Sequence, residues 1–241
     1  MRYPFLTDNE LILIDYAPGS GGHLLLRIWS ELDARLNYDN SKILTDHTLN
    51  DHKSTREVEF ELPVPKRMTN WFLNKSKPET VEEFASFFEF LGTFLFASQS
   101  WKHDVDFYED ENYKIQNRKV LYGIHSWHKN IPFKQLQDMG CNVKCISIIA
   151  NTEEGRKFQY ERGKLCYPIT DVFWKNILPI YNNKNNEGVI YFDFCTLLAT
   201  KNTNIIIEWL RIQLGEEFRS NKVARVTEIL DAFYSEIVDN L

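Results

Sequence analysis

The chain has 241 residues, 43% of them hydrophobic, which is enough to bury one α/β core with an inserted subdomain. A formal net charge of -6 argues against a broad nucleic-acid-binding surface and leaves room only for a local basic pocket. No apolar run is long enough to span a bilayer, and no signal-peptide pattern is visible at the start. The four cysteines have neither zinc-ribbon nor disulfide-framework spacing. We therefore expect a single domain over 1–241 in the reducing cytoplasm.

Residues 11–31 predict a strand, a glycine-rich turn and a helix. Residues 11–14 are apolar and partly β-branched, as in a buried central strand, and apolar residues recur at helical spacing from Leu24 onward. Such a turn can present backbone N–H groups and the positive end of a helix dipole to an anion, usually a phosphate. The candidate binding residues are Pro18, Gly19, Ser20, Gly21, Gly22 and His23. The alternative is a glycine-rich connection that binds nothing.

This turn fits the common phosphate-binding motifs poorly. In a Walker A alignment His23 takes the lysine position, and Leu24 takes the position of the hydroxyl that holds Mg²⁺. The glycine spacing also differs from that of a dinucleotide-binding loop.

A long connection with a helical insertion is expected over about 40–118. Residues 37–66 are polar, with an extended piece at 58–64, and connections of this length often carry substrate contacts. A helix is predicted over 78–100, because Thr80 and Glu83 form a capping box before a run of phenylalanines. We expect this helix to be buried on most sides. The alternative is that its aromatic surface lines an acceptor pocket.

Three further apolar runs predict strands at 120–124, 142–149 and 189–194. The first leads into His125, and the carboxyl end of a parallel strand is where α/β folds bind their ligands. Since imidazole titrates near neutral pH, we expect His125 to act as a general base. His128 is interpreted as a surface loop residue, because no third ligand completes a metal site around the two histidines.

Helices are predicted at 131–139, after 151, at 169–181, at 204–214 and at 220–241. Asn151 or Thr152 supplies the N-cap of the second of these. That helix also carries Arg156 and Arg162, which either attract an anion or form a solvated helix face. The last helix is amphipathic and packs either on the sheet or on a partner, in a homodimer.

In the order of its elements and in its local signatures, the chain resembles the sulfotransferase family, which uses 3′-phosphoadenosine 5′-phosphosulfate (PAPS). The family's first loop reads roughly Y-P-K-S-G-T-T, which residues 16–23 resemble through Pro18, Ser20 and Gly21. The family strand that ends in Thr-His resembles residues 123–125, and two later family strands resemble residues 143–151 and 189–198. The resemblance covers most of the chain. It implies a three-layer α/β/α fold of the P-loop NTPase type with a mostly parallel sheet.

The resemblance implies transfer of a sulfuryl group from PAPS to a hydroxyl or amine of a small-molecule or lipid acceptor, without a metal. His125 is then the base, and the loop residues and Asn151 contact the cofactor. The family's loop lysine falls on Gly19, the arginine that holds the 3′-phosphate falls on Ala150, and the serine of the following helix falls on Phe158. We expect Arg156 or Arg162 to replace the missing arginine, and His23 or Arg27 to replace the missing lysine.

Two other functions are compatible with the same sequence. A non-catalytic nucleotide- or ligand-binding protein of the same fold is favoured by the missing lysine and arginine. A P-loop nucleoside kinase or NTPase needs a loop lysine and a hydroxyl for Mg²⁺, and His23 and Leu24 count against it.

Overall fold

A parallel four-stranded sheet forms the centre of the molecule. The computed structural model describes residues 3–17, 19–33, 78–101, 119–124, 131–166, 171–182 and 185–240. The strands are β1 (Glu10–Asp15), β2 (Lys119–Ile124), β3 (Val143–Ile148) and β4 (Val189–Phe192). Their order is β2-β1-β3-β4, and every pairing is parallel. After β1 the chain adds β2 on one side of this strand and then crosses over to add β3 on its other side. The carboxyl ends of β1 and β3 therefore form a topological switch point, the place where open α/β sheets bind ligands.

Helices cover both faces of this sheet, so the fold is α/β, as predicted. The described α-helices are α1 (Pro4–Asp8), α2 (Gly22–Leu32), α3 (Val81–Trp101), α4 (Phe133–Asp138), α5 (Glu153–Cys166), α6 (Asp171–Asn182), α7 (Phe194–Ala199), α8 (Thr203–Leu214) and α9 (Val223–Asn240). Short 3₁₀ turns at Gly215–Glu217 and Ser220–Lys222 precede α9.

The apolar side chains of β1 alternate between two hydrophobic cores. Ile12 and Ile14 pack with residues of α2, α7, α8 and α9 on one face. Leu11 and Leu13 pack with residues of α1, α3 and α4 on the other. A strand that is buried on both faces reads as a continuous apolar run, which explains why the sequence predicted β1. The apolar face of α9 also joins the first core, where Val226 is fully buried. The helix therefore uses this face within the chain, and a homodimer through α9 stays a prediction.

Local capping signals place the start of α3 correctly. The Thr80 hydroxyl accepts a hydrogen bond from the backbone N–H of Glu83 at 3.2 Å. The Glu83 carboxylate accepts from the N–H groups of Glu79 at 2.7 Å and Thr80 at 3.2 Å, and these bonds lower the pKa of Glu83. Phe84 and Phe88 of this helix are buried against the sheet. The predicted capping box is thus confirmed.

A buried ion pair joins α2 to the start of β2. The Lys119 ammonium contacts the Asp33 carboxylate, and their side chains are only 2% and 0% exposed. The Trp29 indole N–H donates to the same carboxylate oxygen at 3.1 Å. The Lys119 ammonium also lies 3.6 Å from the Glu10 carboxylate of β1, whose side chain is 16% exposed. The pair between Lys119 and Asp33 holds together the two ends of the long connection between α2 and β2. Most of that connection, including the extended piece predicted at 58–64, lies outside the described residues.

One helix was not predicted, and one predicted strand is too long. Residues 1–9 carry no pattern that predicts a helix, but residues 4–8 form α1, whose Phe5 and Leu6 N–H groups donate to the Glu89 carboxylate at 2.8 and 2.9 Å. The strand predicted at 189–194 ends at Phe192, and Phe194 begins α7 instead.

Candidate functional site

The glycine-rich loop connects the carboxyl end of β1 to the N-terminus of α2, beside the switch point. Gly19 and Gly21 have φ angles of 81° and 77°, which L side chains rarely adopt. Gly21 is the N-cap residue of α2, and no side chain caps this helix end. The first turn of α2 also carries no acidic residue. This helix end can therefore direct backbone N–H groups and the positive end of its dipole at an anion.

The three loop glycines are also required by close packing within the protein. A Cβ atom at Gly19 would lie 2.7 Å from the Gln159 carbonyl oxygen and from the Gly163 Cα, both in the backbone of α5. A Cβ at Gly21 would lie 2.8 Å from the Leu198 side chain, and one at Gly22 would overlap the ring of Tyr16. The loop composition thus follows from contacts with the protein. It also follows that position 19 has no room for the lysine found in the family's loop.

A chain of buried side chains holds the loop from behind. The Ser20 hydroxyl accepts a hydrogen bond from Nε2 of Gln159 at 2.7 Å, and both residues are fully buried. Gln159 Oε1 accepts from Nδ2 of Asn182 at 3.0 Å, and Asn182 Oδ1 accepts from the Ala150 N–H at 3.0 Å. These bonds connect the loop, α5, α6 and the residues after β3. Sequence analysis missed Gln159 and Asn182, because no local pattern signals partners that lie 23 to 139 residues away along the chain.

The start of α5 is engaged by the protein itself. The Thr152 hydroxyl accepts from the Gly155 N–H at 3.1 Å, so Thr152 is the N-cap residue, one of the two alternatives predicted. The Asn151 N–H donates to the Asp193 carboxylate at 3.1 Å. The Asn151 carbonyl accepts from the exposed Arg156 guanidinium at 2.6 Å. Unlike α2, this helix end therefore has both a hydroxyl cap and a nearby carboxylate.

Arg162 packs against a ring of α9, and His23 packs against the ring of Tyr16, which follows β1. The Arg162 guanidinium is buried and lies over the ring of Phe233, 4.6 Å from its centroid, a cation–π geometry. His23 is half-buried and meets the ring of Tyr16 edge to face at 5.6 Å. Arg156, at the start of α5, has a different environment from Arg162, so the structure does not bring these two arginines into one group.

A buried thiol lies under the loop. Cys195 of α7 contacts the Ser20 carbonyl oxygen through Sγ at 3.7 Å. Burial raises the pKa of Cys195 to about 12, although the nearby Arg162 opposes this shift. The thiol is therefore protonated at neutral pH and contributes packing.

The start of α2 could hold the 5′ end of a ligand such as PAPS, whereas the two positions that match the family's 3′-phosphate ligands could not hold that phosphate. The uncapped start of α2 offers N–H groups of the kind that bind a phosphate. Ala150 and Phe158, which match the family's 3′-phosphate ligands, are instead 1% and 7% exposed and belong to the core between the sheet and α2. Neither side chain could form a hydrogen bond.

The predicted base, His125, is not among the described residues. β2 ends at Ile124, which pairs with Asp15, the last residue of β1 before the loop. His125 and Pro18 lie outside the described residues, so their roles stay predictions. Among the residues that are described, no three His, Cys, Asp or Glu side chains form a group that could hold a metal ion. Within the same ranges, no helix is long and apolar enough to cross a membrane.

Comparison of the chain with protein-family models, with curated proteins and with solved structures gave no match in any of the three searches.

Proposed function

We propose that the chain is a sulfotransferase-like protein that takes PAPS at the carboxyl edge of its sheet and transfers the sulfuryl group to a hydroxyl or amine acceptor. The observation that carries this proposal is the uncapped N-terminus of α2, which begins at Gly22 directly after the central strand. A helix start of this kind at a switch point suits a phosphate or phosphosulfate group. The acceptor class is a small molecule or a lipid.

In this proposal the chain's own residues bind the anion and move one proton. The first turn of α2 holds the 5′-phosphate and the sulfuryl oxygens through backbone N–H groups. His125 accepts the proton of the acceptor, a role that suits an imidazole near neutral pH. Bound PAPS supplies the activated sulfuryl group.

A second candidate is a non-catalytic protein of the same fold that binds a nucleotide or a sulfated ligand. Two observations favour it. Gly19 packs on the backbone of α5, where the family's lysine has no room. Ala150 and Phe158 are buried in the core, where the family has 3′-phosphate ligands.

Calorimetric titration with PAP (the desulfated product of PAPS), PAPS and ATP, each with and without Mg²⁺, distinguishes these functions. The proposal predicts metal-independent binding of PAP or PAPS that is tighter than binding of ATP. Binding of PAPS without release of PAP in the presence of an acceptor panel favours the non-catalytic protein. Mg²⁺-dependent binding of ATP indicates a kinase or NTPase, and absence of binding to all three contradicts the proposal.

A further inference from the structure

Helix α8 has apolar side chains on two opposite faces. On its outer face, Ile205 and Ile212 are 50% and 69% exposed. A helix that is apolar on all sides is usually buried on all sides, so the outer face indicates a surface that covers it. The inner face already packs in the first core through its buried residues, Ile206, Ile207, Leu210 and Leu214.

The two exposed isoleucines form one stripe along α8. They are seven residues apart, which is close to two full turns, so their side chains leave the helix within about 20° of each other. Trp209 lies between them in the sequence, and its ring is stacked on that of Phe192 with the centroids 3.7 Å apart. The stripe of Ile205 and Ile212 therefore lies on a helix that is well anchored to the core.

A pair of opposite charges lies beside this stripe. The Arg211 guanidinium is 3.5 Å from the Glu208 carboxylate, and both side chains are more than half exposed. The guanidinium also lies 5.1 Å from the centroid of the Phe218 ring, a cation–π contact that limits where the cation can move. One flank of the stripe thus presents a cation and an anion that are three residues apart, about 4.5 Å along the helix axis.

The stripe and its flank are complementary to a second copy of themselves. If two copies of α8 lie antiparallel about a twofold axis midway between the isoleucines, Ile205 of each copy is level with Ile212 of the other. Arg211 of each copy is then only about 3 Å along the axis from Glu208 of the other copy, less than its axial distance from Glu208 of its own helix. The same axis therefore pairs apolar with apolar side chains and cations with anions.

Helix α6 shows that this arrangement is not general among the described helices. It also has two strongly exposed apolar side chains, since Val172 and Ile180 are 68% and 45% exposed. They are eight residues apart, however, so they leave the helix about 80° from each other and form no single stripe. Two antiparallel copies of α6 would also place the exposed Lys175 of both copies on the same flank, where like charges repel.

We propose that α8 is the contact surface of a homodimer, in which the stripe of Ile205 and Ile212 packs antiparallel on its own copy and Arg211 pairs with Glu208 of the other copy. The apolar face of α9 is used within the chain, so α8 takes the role that the sequence assigned to the last helix. A contact between two short helices is small, which places this dimer in the weak class, with dissociation in the micromolar range. The inference does not depend on the proposed function.

The first test compares Ile212→Lys with Val172→Lys by sedimentation velocity of the full chain over a micromolar concentration series. The two replaced side chains are matched in exposure, at 69% and 68%, and neither contributes to a buried core. We expect the dimer dissociation constant to rise at least about tenfold in Ile212→Lys and to stay at the wild-type value in Val172→Lys. A wild-type protein that is monomeric throughout the series, or equal effects of the two variants, overturns the inference.

The second test uses Glu208→Arg and Arg211→Glu, each alone and then mixed in equal amounts. The first variant has only cations on the flank and the second only anions, so each alone should dimerise at least about tenfold more weakly than wild type. The mixture should form a heterodimer at least as tight as the wild-type dimer. Neither chain in the mixture regains its own Glu208–Arg211 pair, so an effect within one helix cannot restore association. A mixture that stays monomeric overturns the antiparallel pairing of α8.

The same measurements identify any other occupant of the outer face of α8. If another segment of this chain or a different protein covers the face, the wild-type protein is monomeric over the whole series. If the protein dimerises through another surface, Ile212→Lys and both charge variants keep the wild-type dissociation constant. Either result overturns the inference.

Discussion

Replacement of Gly19 by alanine tests the contact between the loop and α5. The new methyl group would lie 2.7 Å from the Gln159 carbonyl oxygen and from the Gly163 Cα. These are backbone atoms of a helix and cannot rotate away. In addition, the φ of 81° at Gly19 is unfavourable for a residue with a Cβ.

Gly140 offers a matched control for the backbone conformation alone. Its φ is 82°, and no heavy atom lies within 4 Å of the position that a Cβ would take. The left-handed conformation costs roughly 1–2 kcal/mol per residue. Part of this cost is offset, by about 0.4–1 kcal/mol, because alanine restricts the unfolded chain. We therefore expect Gly140→Ala to lower the free energy of unfolding by about 1 kcal/mol.

Gly19→Ala carries the same conformational cost and an overpacking cost of about 1–3 kcal/mol. We expect the free energy of unfolding to fall by about 2–4 kcal/mol in total, as measured by equilibrium unfolding in urea. An m value equal to that of the wild type would show that unfolding remains two-state. A Gly19→Ala protein that loses no more stability than Gly140→Ala would show that the loop does not lie tightly on α5. The structural reason for the absent lysine would then be wrong.

Four further predictions concern single side chains. Asp33→Ala leaves the buried Lys119 with only the Glu10 carboxylate, at 3.6 Å, so the free energy of unfolding in urea should fall by an amount at or below the lower end of about 3–5 kcal/mol, and a loss below about 1 kcal/mol would contradict the burial of the pair. Backbone hydrogen bonds lower the pKa of Glu83, so its contribution to stability is present above the unfolded pKa and is lost as pH falls through the folded pKa. Melting temperatures of wild type and Glu83→Gln should therefore differ at neutral pH and converge in acid. Cys195, whose pKa burial raises to about 12, should react with an aromatic disulfide reagent in alkaline buffer only after unfolding. His125→Ala should slow release of PAP from PAPS by ~10²–10⁴-fold in the presence of an acceptor, and a change within a few-fold would reject it as the base.

The sequence predicted those elements whose signals are local. Strands β1 and β2 are buried on both faces, so runs such as residues 11–14 are apolar without interruption. Helix α3 begins with Thr80 and Glu83 at the spacing of a capping box, and both reciprocal bonds form.

Elements that depend on distant contacts were missed. The short α1 has its first N–H groups bound by Glu89, which belongs to α3 and is more than eighty residues away. Helix α7 continues the apolar run of β4 without a local stop signal. Asp193, between them, uses its carboxylate to accept from Asn151 and does not cap its own helix.

In the candidate site, too, the elements with local signals were predicted and the contacts between distant residues were not. The strand, glycine-rich loop and helix were predicted from residues 11–31, and the structure has all three. The sequence does not show that Gly19 contacts α5 or that Ser20 is held by Gln159, because the partners lie about 140 residues further along the chain. Gly19 and Gly21 have positive φ angles that favour glycine, and the close neighbour of Gly19 is the backbone of helix α5.

The central claim is that the loop at the start of α2 binds the anionic end of the cofactor. Amide chemical shifts of labelled protein, followed during titration with PAP in the absence of Mg²⁺, test it most directly. The account predicts that the largest saturable shifts fall on residues 19–24, with smaller changes near Gln159. Saturable shifts confined to other parts of the chain, or no shifts at all, would contradict it.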